Sequence, residues 1–154
     1  MAHRIKPVRK DKSASLLKWA SVALAGLGVV DSVYLLVLKY TQLESLCVGN
    51  RGCITVNNSI YSEIYGIPVS LFGILAYLVI AGILLLGPSL KLAKENGPLA
   101  IFGISLAGVA FSAYLTWLEF YVIHAVCPFC IASAILITLL FLLAVIRLVK
   151  QFTT

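Results

Sequence analysis

Four long apolar runs constrain the fold of this chain more than any other feature of its sequence. They cover about residues 16–38, 67–86, 99–123 and 128–149. Each matches the length of about 20 residues that an α-helix needs to cross the hydrocarbon core of a bilayer. A spanning segment in lipid must satisfy its own backbone hydrogen bonds, so each run is predicted to be a helix. The sequence therefore predicts an all-α, integral membrane four-helix bundle.

The composition agrees with a bundle dissolved in lipid. Hydrophobic residues make up 61% of the 154 residues and charged residues only 12%, whereas soluble domains carry about 25% charged residues. The length allows one domain. We expect a basic tail over residues 1–15 and a membrane domain over residues 16–150, with an outer loop at about residues 39–66 between the first two helices.

Positive charge is concentrated at the start of the chain, where half of the lysines and arginines lie: Arg4, Lys6, Arg9, Lys10, Lys12 and Lys18. A basic tail can bind nucleic acid, but beside a long apolar run it more often sets membrane orientation and touches anionic lipid heads. We therefore expect contact with membrane lipid and no nucleic-acid partner. With Lys91, Lys94, Arg147 and Lys150 on the same face, both termini are predicted to be cytoplasmic, in an inner or plasma membrane.

All four cysteines then fall on the outer side of the membrane. Cys47 and Cys53 lie in the polar loop after the first helix, and Cys127 and Cys130 lie at the start of the fourth. Because Pro128 suits the first position of a helix, the second pair is predicted to sit at a helix N-terminus. The positive end of the helix dipole and the free N–H groups there favour thiolate over thiol. Arg51 favours thiolate in the loop pair in the same way.

The C-x-x-C at residues 127–130 has several interpretations. Haem attachment would require a histidine after the second cysteine, and Ile131 occupies that position. Three hypotheses stay open on the residues alone. The cysteines form two structural disulfides, or a four-sulfur zinc site, or a relay of two redox pairs.

Two acids lie within the apolar runs, and an intramembrane acid is a candidate functional residue. Asp31 and Glu119 can instead sit near an interface or pair with a neighbour such as Tyr34 or Tyr114. His124, close to a membrane boundary, has the ordinary interpretation of an interfacial polar residue. Small residues predicted to let helix backbones approach one another are Gly26, Gly28, Gly73, Ala76, Gly82, Gly103, Ala107 and Gly108.

Nearly the whole chain beyond the tail resembles the vitamin K epoxide reductase family, in particular its prokaryotic members. The segments that carry the resemblance are residues 47–53, 53–59 (CITVNNS), 64–70 (IYGIPVS), 111–119 (FSAYLTWLE) and 127–133 (CPFCIAS). A second family of four-helix quinone reductases has its C-x-x-C in the first outer loop and its other pair after the third helix. The order in this chain is the reverse.

The resemblance implies a role for each cysteine. Cys127 and Cys130 are the active-site pair, with Cys130 facing a quinone. Cys47 and Cys53 are the shuttle pair, in which Cys47 exchanges with a partner protein and Cys53 exchanges with Cys127. The residues implied to lie near the quinone, besides Cys130, are Ser59, Asn57 and Tyr61.

The resemblance also implies the reaction. The protein oxidises an exported thioredoxin-like partner and passes the electrons to a membrane quinone of the menaquinone or ubiquinone class, which supports disulfide bond formation. Because the chain ends at Thr154, without a thioredoxin-like domain after the bundle, we expect that partner to be a separate protein. No metal is expected. The alternative from another functional class is a non-enzymatic membrane scaffold or zinc-binding subunit with structural cysteines.

Overall fold

The computed structural model describes residues 12–47 and 51–153. Four helices in this part of the chain are long and apolar enough to cross a membrane, which confirms the predicted helical bundle. They are α1 (Lys12–Thr41), α3 (Val69–Leu86), α4 (Lys91–Leu118, continued by a π turn over Glu119–Ile123) and α5 (Pro128–Thr153). The basic residues Arg4, Lys6, Arg9 and Lys10, and most of the tail predicted over residues 1–15, lie outside the described residues.

The start of α4 differs from the sequence prediction. The third apolar run was predicted to begin at about residue 99, but the helix begins at Lys91 and contains Pro98. Proline inside a helix removes one backbone hydrogen bond, which usually costs about 3 kcal/mol. Here Gly97 is buried, and a side chain at that position would meet Ile83 of α3. Packing against α3 therefore holds this turn in helical form where local sequence argues against it.

The outer loop is folded rather than irregular. It contains a short helix α2 (Gly52–Asn57), two single 3₁₀ turns (Glu44–Leu46 and Ile60–Ser62) and a two-stranded hairpin. The hairpin pairs β1 (Glu63–Ile64) with β2 (Ile67–Pro68) in antiparallel register.

Its two-residue turn, Tyr65-Gly66, has φ values of 53° and 81°. Positive φ at both positions is typical of the tight turns that match the twist of a hairpin.

Lys39, near the end of α1, fastens this outer layer to the bundle. Its ammonium group donates to the backbone oxygen of Asn57 at 2.9 Å and to the Ser62 hydroxyl at 2.8 Å, and it pairs with Glu63 at 3.0 Å. The Asn57 side chain in turn donates to the backbone oxygen of Leu35 at 2.8 Å. These bonds to α1 fix the position of α2 and of the cysteine it carries.

Three of the predicted small residues lie where helices pack closely. A Cβ at Gly28 would overlap the Tyr77 ring, one at Gly73 would overlap the Ser32 hydroxyl, and one at Gly108 would overlap Ile137. These contacts join α1 to α3 and α4 to α5. By contrast, an added Cβ would meet nothing within 4 Å at three other glycines: Gly26, Gly82 and Gly103. Only part of the small-residue pattern therefore serves helix packing.

Candidate redox site

The loop cysteines are bonded to each other. Cys47 and Cys53 form a disulfide with 5.9 Å between their Cα atoms, within the usual range for such bonds. Cys53 is fully buried in α2, whereas Cys47 is half-buried. Arg51 was expected to favour thiolate in this pair, but its guanidinium lies 3.3 Å from Glu44 and is largely exposed. It forms a surface ion pair there, and its expected effect on the reduced loop pair stays a prediction.

The C-x-x-C opens α5, as the position of Pro128 predicts. Cys127 is the residue before the helix and is fully buried, and Cys130 is half-buried in its first turn; both carry free thiols. The backbone N–H of Cys130 donates to the sulfur of Cys127 at 3.4 Å. A hydrogen bond from the Cys130 thiol, helped by backbone N–H groups, holds the pKa of the Cys127 thiol below its ordinary value despite burial. Cys127 is therefore the sulfur that forms thiolate more readily.

Both cysteine pairs belong to one packed cluster. Cys53 and Cys127 are buried together with Leu35 and Leu38, and Cys47 and Cys130 pack at its periphery. The cluster is closed by the Tyr34 and Phe129 rings, which lie 4.5 Å apart, with the Tyr34 hydroxyl donating to the backbone oxygen of Leu46. This arrangement places Cys53 of α2 and the first cysteine of the C-x-x-C in the same buried cluster.

Gly52 explains how α2 comes so close. A Cβ at this position would collide with the backbone oxygen of Val126, the residue before Cys127. Glycine is therefore required where the chain before Cys53 passes over the chain before Cys127. The sequence shows this glycine beside a cysteine, but nothing local indicates what it touches.

Glu119 is a site residue whose contacts the sequence did not predict. It is only 1% exposed, and its carboxylate accepts a hydrogen bond from the backbone N–H of Cys127 at 3.1 Å. The expected tyrosine partners are elsewhere, because Tyr34 bonds Leu46 and the ring of Tyr114 lies against Phe111. The sequence feature that pointed to Glu119 was the presence of an acidic residue within an apolar run.

A cavity of about 410 Å³ adjoins the C-x-x-C and is walled by α1, α3, α4, α5 and the outer loop. Most of its lining is apolar, which is typical of ligand pockets of about 300–1,000 Å³. The polar and thiol groups in its lining include Asn57, Ser59, Tyr61, Ser70, Glu119 and Cys130. The Ser70 hydroxyl is buried and has no hydrogen-bond partner within the described part of the chain.

Comparison with known proteins agrees with this arrangement of helices and cysteines. The model of the vitamin K epoxide reductase family matches residues 19–145. The chain belongs to the vitamin K epoxide reductase family. The match covers all four cysteines and most of each spanning helix.

A plant relative shows how far the likeness extends. The thiol-disulfide oxidoreductase LTO1 of Arabidopsis thaliana is 33% identical over 123 residues. The alignment covers 76% of this chain but 33% of the plant protein. The chain therefore spans about a third of the length of this curated relative.

In this vitamin K epoxide reductase family member, the residues expected near a quinone share one cavity. Asn57, Ser59, Tyr61 and Cys130 all line it. The Asn57 amide is occupied with Leu35, and the Ser59 hydroxyl donates to the backbone oxygen of Val56 at 2.7 Å. The geometry brings these four residues together, and their roles remain predictions.

Two other polar residues are placed differently. Asp31 is half-buried in α1, and one of its carboxylate oxygens has no partner among the described residues. His124 is exposed and follows the π turn with a φ of 55°. Neither lines the cavity.

The zinc hypothesis has little geometric support. Over residues 12–47 and 51–153, no group of three or more histidine, cysteine or acidic side chains is placed to hold a metal ion. Two of the four sulfurs are bonded to each other, so they are not thiolate ligands.

Proposed function

We propose that this protein is a membrane thiol–disulfide oxidoreductase that takes two electrons from an exported thioredoxin-like protein and delivers them to a membrane quinone. One observation carries the proposal: a loop disulfide and a C-x-x-C dithiol are packed in a single cluster, and the second thiol of the C-x-x-C borders an apolar cavity. The family membership and the printed name of the plant relative support thiol–disulfide chemistry.

Electrons enter through the loop pair. A thiolate of the partner attacks the sulfur of Cys47, so a partner–Cys47 bond forms and Cys53 leaves as thiolate. The partner's second thiol then attacks its own bonded sulfur, which releases Cys47 and leaves the partner oxidised. Cys47 suits this encounter because it is half-buried, whereas Cys53 is fully buried.

Electrons then pass to the helix pair. The Cys53 thiolate attacks Cys127 of the oxidised C-x-x-C, and Cys130 leaves as thiolate. Cys47 attacks Cys53, which restores the loop disulfide and releases Cys127. The burial of Cys53 and Cys127 in one cluster supports this order. A loop disulfide with two free thiols at Cys127 and Cys130 corresponds to the end of this sequence.

The cavity fits a quinone by three features. Its volume and apolar lining suit a ring with an isoprenoid tail, and the Ser70 hydroxyl, which has no partner among the described residues, would donate to a ring oxygen. Ser59, Asn57 and Tyr61 would hold the polar side of the ring, and Cys130 would face it. When bound, a quinone of the menaquinone or ubiquinone class supplies an acceptor for two electrons and two protons.

The direction of flow follows from orientation. With both termini in the cytoplasm and the cysteines on the outer face of an inner or plasma membrane, the partner is a separate exported protein that gains a disulfide. The quinol then leaves into the lipid. The protein would thereby support disulfide bond formation in exported proteins.

Replacing Cys130 by alanine tests the proposal. The variant is purified with its lipid, supplied with a reduced thioredoxin-like protein, and assayed for reduction of a short-chain quinone. We expect turnover to fall at least about 100-fold, because no second thiol remains to complete the disulfide. The matched control is Leu142→Ala on the same helix, at a position exposed on the outside of the bundle.

Undiminished quinone reduction by the Cys130→Ala variant would overturn the electron path. Trapping provides a second measurement. With Cys53 replaced by serine, Cys47 should retain the partner as a mixed disulfide that reductant releases. Failure to detect this adduct, while Cys53 forms one in a Cys47→Ser variant, would reverse the assignment within the loop pair.

A further inference from the structure

Glu119 occupies an unusual place for a carboxyl group. It lies at the start of the π turn over Glu119–Ile123, where α4 widens before the chain turns back toward α5. π turns within helices are frequently found at functional sites. The side chain is 1% exposed and lines the same cavity as Cys130.

The carboxyl group contacts both residues of the dithiol. One oxygen accepts the backbone N–H of Cys127 at 3.1 Å, and the carboxyl is also in hydrogen-bond contact with the Cys130 thiol. The Cys127 sulfur accepts the backbone N–H of Cys130 at 3.4 Å. Cys127 is thus the sulfur stabilised as thiolate. Cys130 keeps the proton, with the Cys127 sulfur and the Glu119 carboxylate as its two alternative acceptors.

No cation neutralises this carboxyl group among the residues that the structure describes. Two cations of the outer layer pair with other acids: Lys39 with Glu63, and Arg51 with Glu44. A buried carboxyl without a counter-ion is costly to keep charged, so it readily takes up a nearby proton. This property suits a group that must accept a proton and release it again.

We propose that Glu119 is the proton acceptor for the Cys130 thiol when the C-x-x-C dithiol is oxidised, a role that rests on the proposed function and deepens it. Cys130 gives its proton to the Glu119 carboxylate as its sulfur attacks the oxidant. Cys127 then attacks Cys130, so the Cys127–Cys130 bond forms and the oxidant leaves with two electrons. Glu119 returns its proton to the reduced oxidant, and the second proton comes from the Cys127 thiol or from water.

A purely structural role is the rival explanation, because the bond to the Cys127 N–H by itself would hold the π turn against α5. Glutamine separates the two roles. The glutamine amide oxygen still accepts the Cys127 N–H, but the amide takes up no proton in the pH range in which thiols titrate.

The other titratable groups near this carboxyl must be considered in a pH experiment. Those that face it are Cys127 and Cys130 of α5, and Asp31 of α1 lies within electrostatic reach of Cys130. From the outer layer, α2 contains only the disulfide-bonded Cys53 as a titratable residue.

The experiment uses the full chain with Cys47 and Cys53 replaced by serine, so that only the C-x-x-C reacts. The oxidant is diamide, an uncharged azo compound that takes up two electrons and two protons. Remaining thiols are counted by mass-tagged maleimide after acid quenching. We expect Glu119→Gln to slow oxidation at least about tenfold near neutral pH, as removal of a general base does.

The difference should shrink at strongly alkaline pH, because hydroxide then removes the Cys130 proton without help from the carboxylate. The control is Glu95→Gln, the same change at an exposed position of the same helix, and it should oxidise at the parent rate. Glu119→Asp, which keeps the carboxyl group, should react faster than Glu119→Gln near neutral pH.

Three results would overturn the proposal: an unchanged rate for Glu119→Gln, an equal slowing at every pH, or an aspartate variant no faster than the glutamine variant. If the glutamine variant does not fold, the pH profile of the Glu119→Asp variant provides the test. Because aspartate is a shorter base, its oxidation rate should be below the parent rate near neutral pH and should approach the parent rate at alkaline pH. The assay contains neither quinone nor partner protein. A negative result in this assay therefore does not contradict the proposed function, which the Cys130→Ala variant tests. Likewise, failure of the Cys130→Ala test would not by itself exclude proton transfer from Cys130 to Glu119.

Discussion

The two sulfurs of the C-x-x-C differ because different groups surround them. Cys127 accepts the N–H of Cys130, and its own N–H is held by Glu119 at 3.1 Å. Cys130 borders the cavity, and Cys127 is sealed within the cluster that contains Cys53. The same residue type thus gives an inner sulfur suited to exchange with Cys53 and an outer one suited to exchange with a ligand.

Removing the Cys130 thiol should change how Cys127 titrates. The hydrogen bond from that thiol holds the pKa of Cys127 below its ordinary value, so Cys127 stays thiolate to lower pH. In the Cys130→Ala variant, the pKa of Cys127 should rise, and the fraction of Cys127 present as thiolate near neutral pH should fall. The measurement is ultraviolet absorbance of the thiolate against pH, with the loop disulfide intact.

Cys130→Ser is the matched comparison, because its hydroxyl still donates a hydrogen bond. It should raise the pKa of Cys127 by less than alanine does. A pKa that is the same in the parent and both variants would show that the Cys130 thiol does not stabilise the thiolate.

At the scale of elements, α2 decides whether the two pairs can react. It is only six residues long and depends on tertiary contacts for its position. Lys39 and the Asn57 amide fasten it to α1, and Gly52 lets it pass over the carbonyl of Val126. Short helices are not stable alone in water, so these contacts maintain the approach of Cys53 to Cys127.

Gly52→Ala should therefore displace α2. The added methyl collides with the Val126 carbonyl oxygen, and overpacking of this kind costs about 1–3 kcal/mol. We expect a lower unfolding temperature and a several-fold lower yield of the Cys53–Cys127 mixed disulfide, measured in a Cys47→Ser, Cys130→Ser background.

The matched control is Gly82→Ala in α3, where an added Cβ meets nothing within 4 Å. This variant should keep the unfolding temperature and the yield of the Cys53–Cys127 mixed disulfide at or above their parent values. Equal trapping yields for the two glycine variants would show that the contact at Gly52 does not position Cys53.

At the scale of the whole molecule, orientation depends on charge. Lys91 and Lys94 lie at one end of the bundle, with Arg147 and Lys150 near the end of α5. The opposite end holds Lys39, which is paired with Glu63, and Arg51, which is paired with Glu44. Four of these six positive charges lie at the end that holds the start of α4 and the end of α5, which predicts cytoplasmic termini and outer cysteines.

Two single-cysteine variants test this orientation in a background without the four native cysteines. Glu44→Cys lies on the predicted outer face and Glu95→Cys on the predicted cytoplasmic face, and both positions are exposed. In intact cells, a membrane-impermeant maleimide should label only the cysteine at position 44. Permeabilised cells should show labelling of both, and the opposite pattern in intact cells would invert the topology.

Much of the fold followed from local sequence. The apolar runs located all four spans to within a few residues, except that α4 begins at Lys91 because Gly97 packs on α3. Pro128 located the start of α5, and with it the position of the C-x-x-C. The folded outer layer was not predicted, since its short turns and α2 are stabilised by side chains distant in sequence, such as Lys39.

The sequence by itself determined that this chain is a four-helix membrane bundle with a C-x-x-C at a helix N-terminus. Both features depend on local properties: the length of an apolar run against the thickness of a bilayer, and a proline that begins a helix. Only the tertiary structure decided that Cys53 and Cys127 share one buried cluster, that Glu119 accepts the Cys127 N–H, and that Cys130 lines a cavity. Those relations join segments that are far apart in the chain or separated by a turn. They depend on how helices pack, and no periodicity or spacing in the sequence encodes the distances between them.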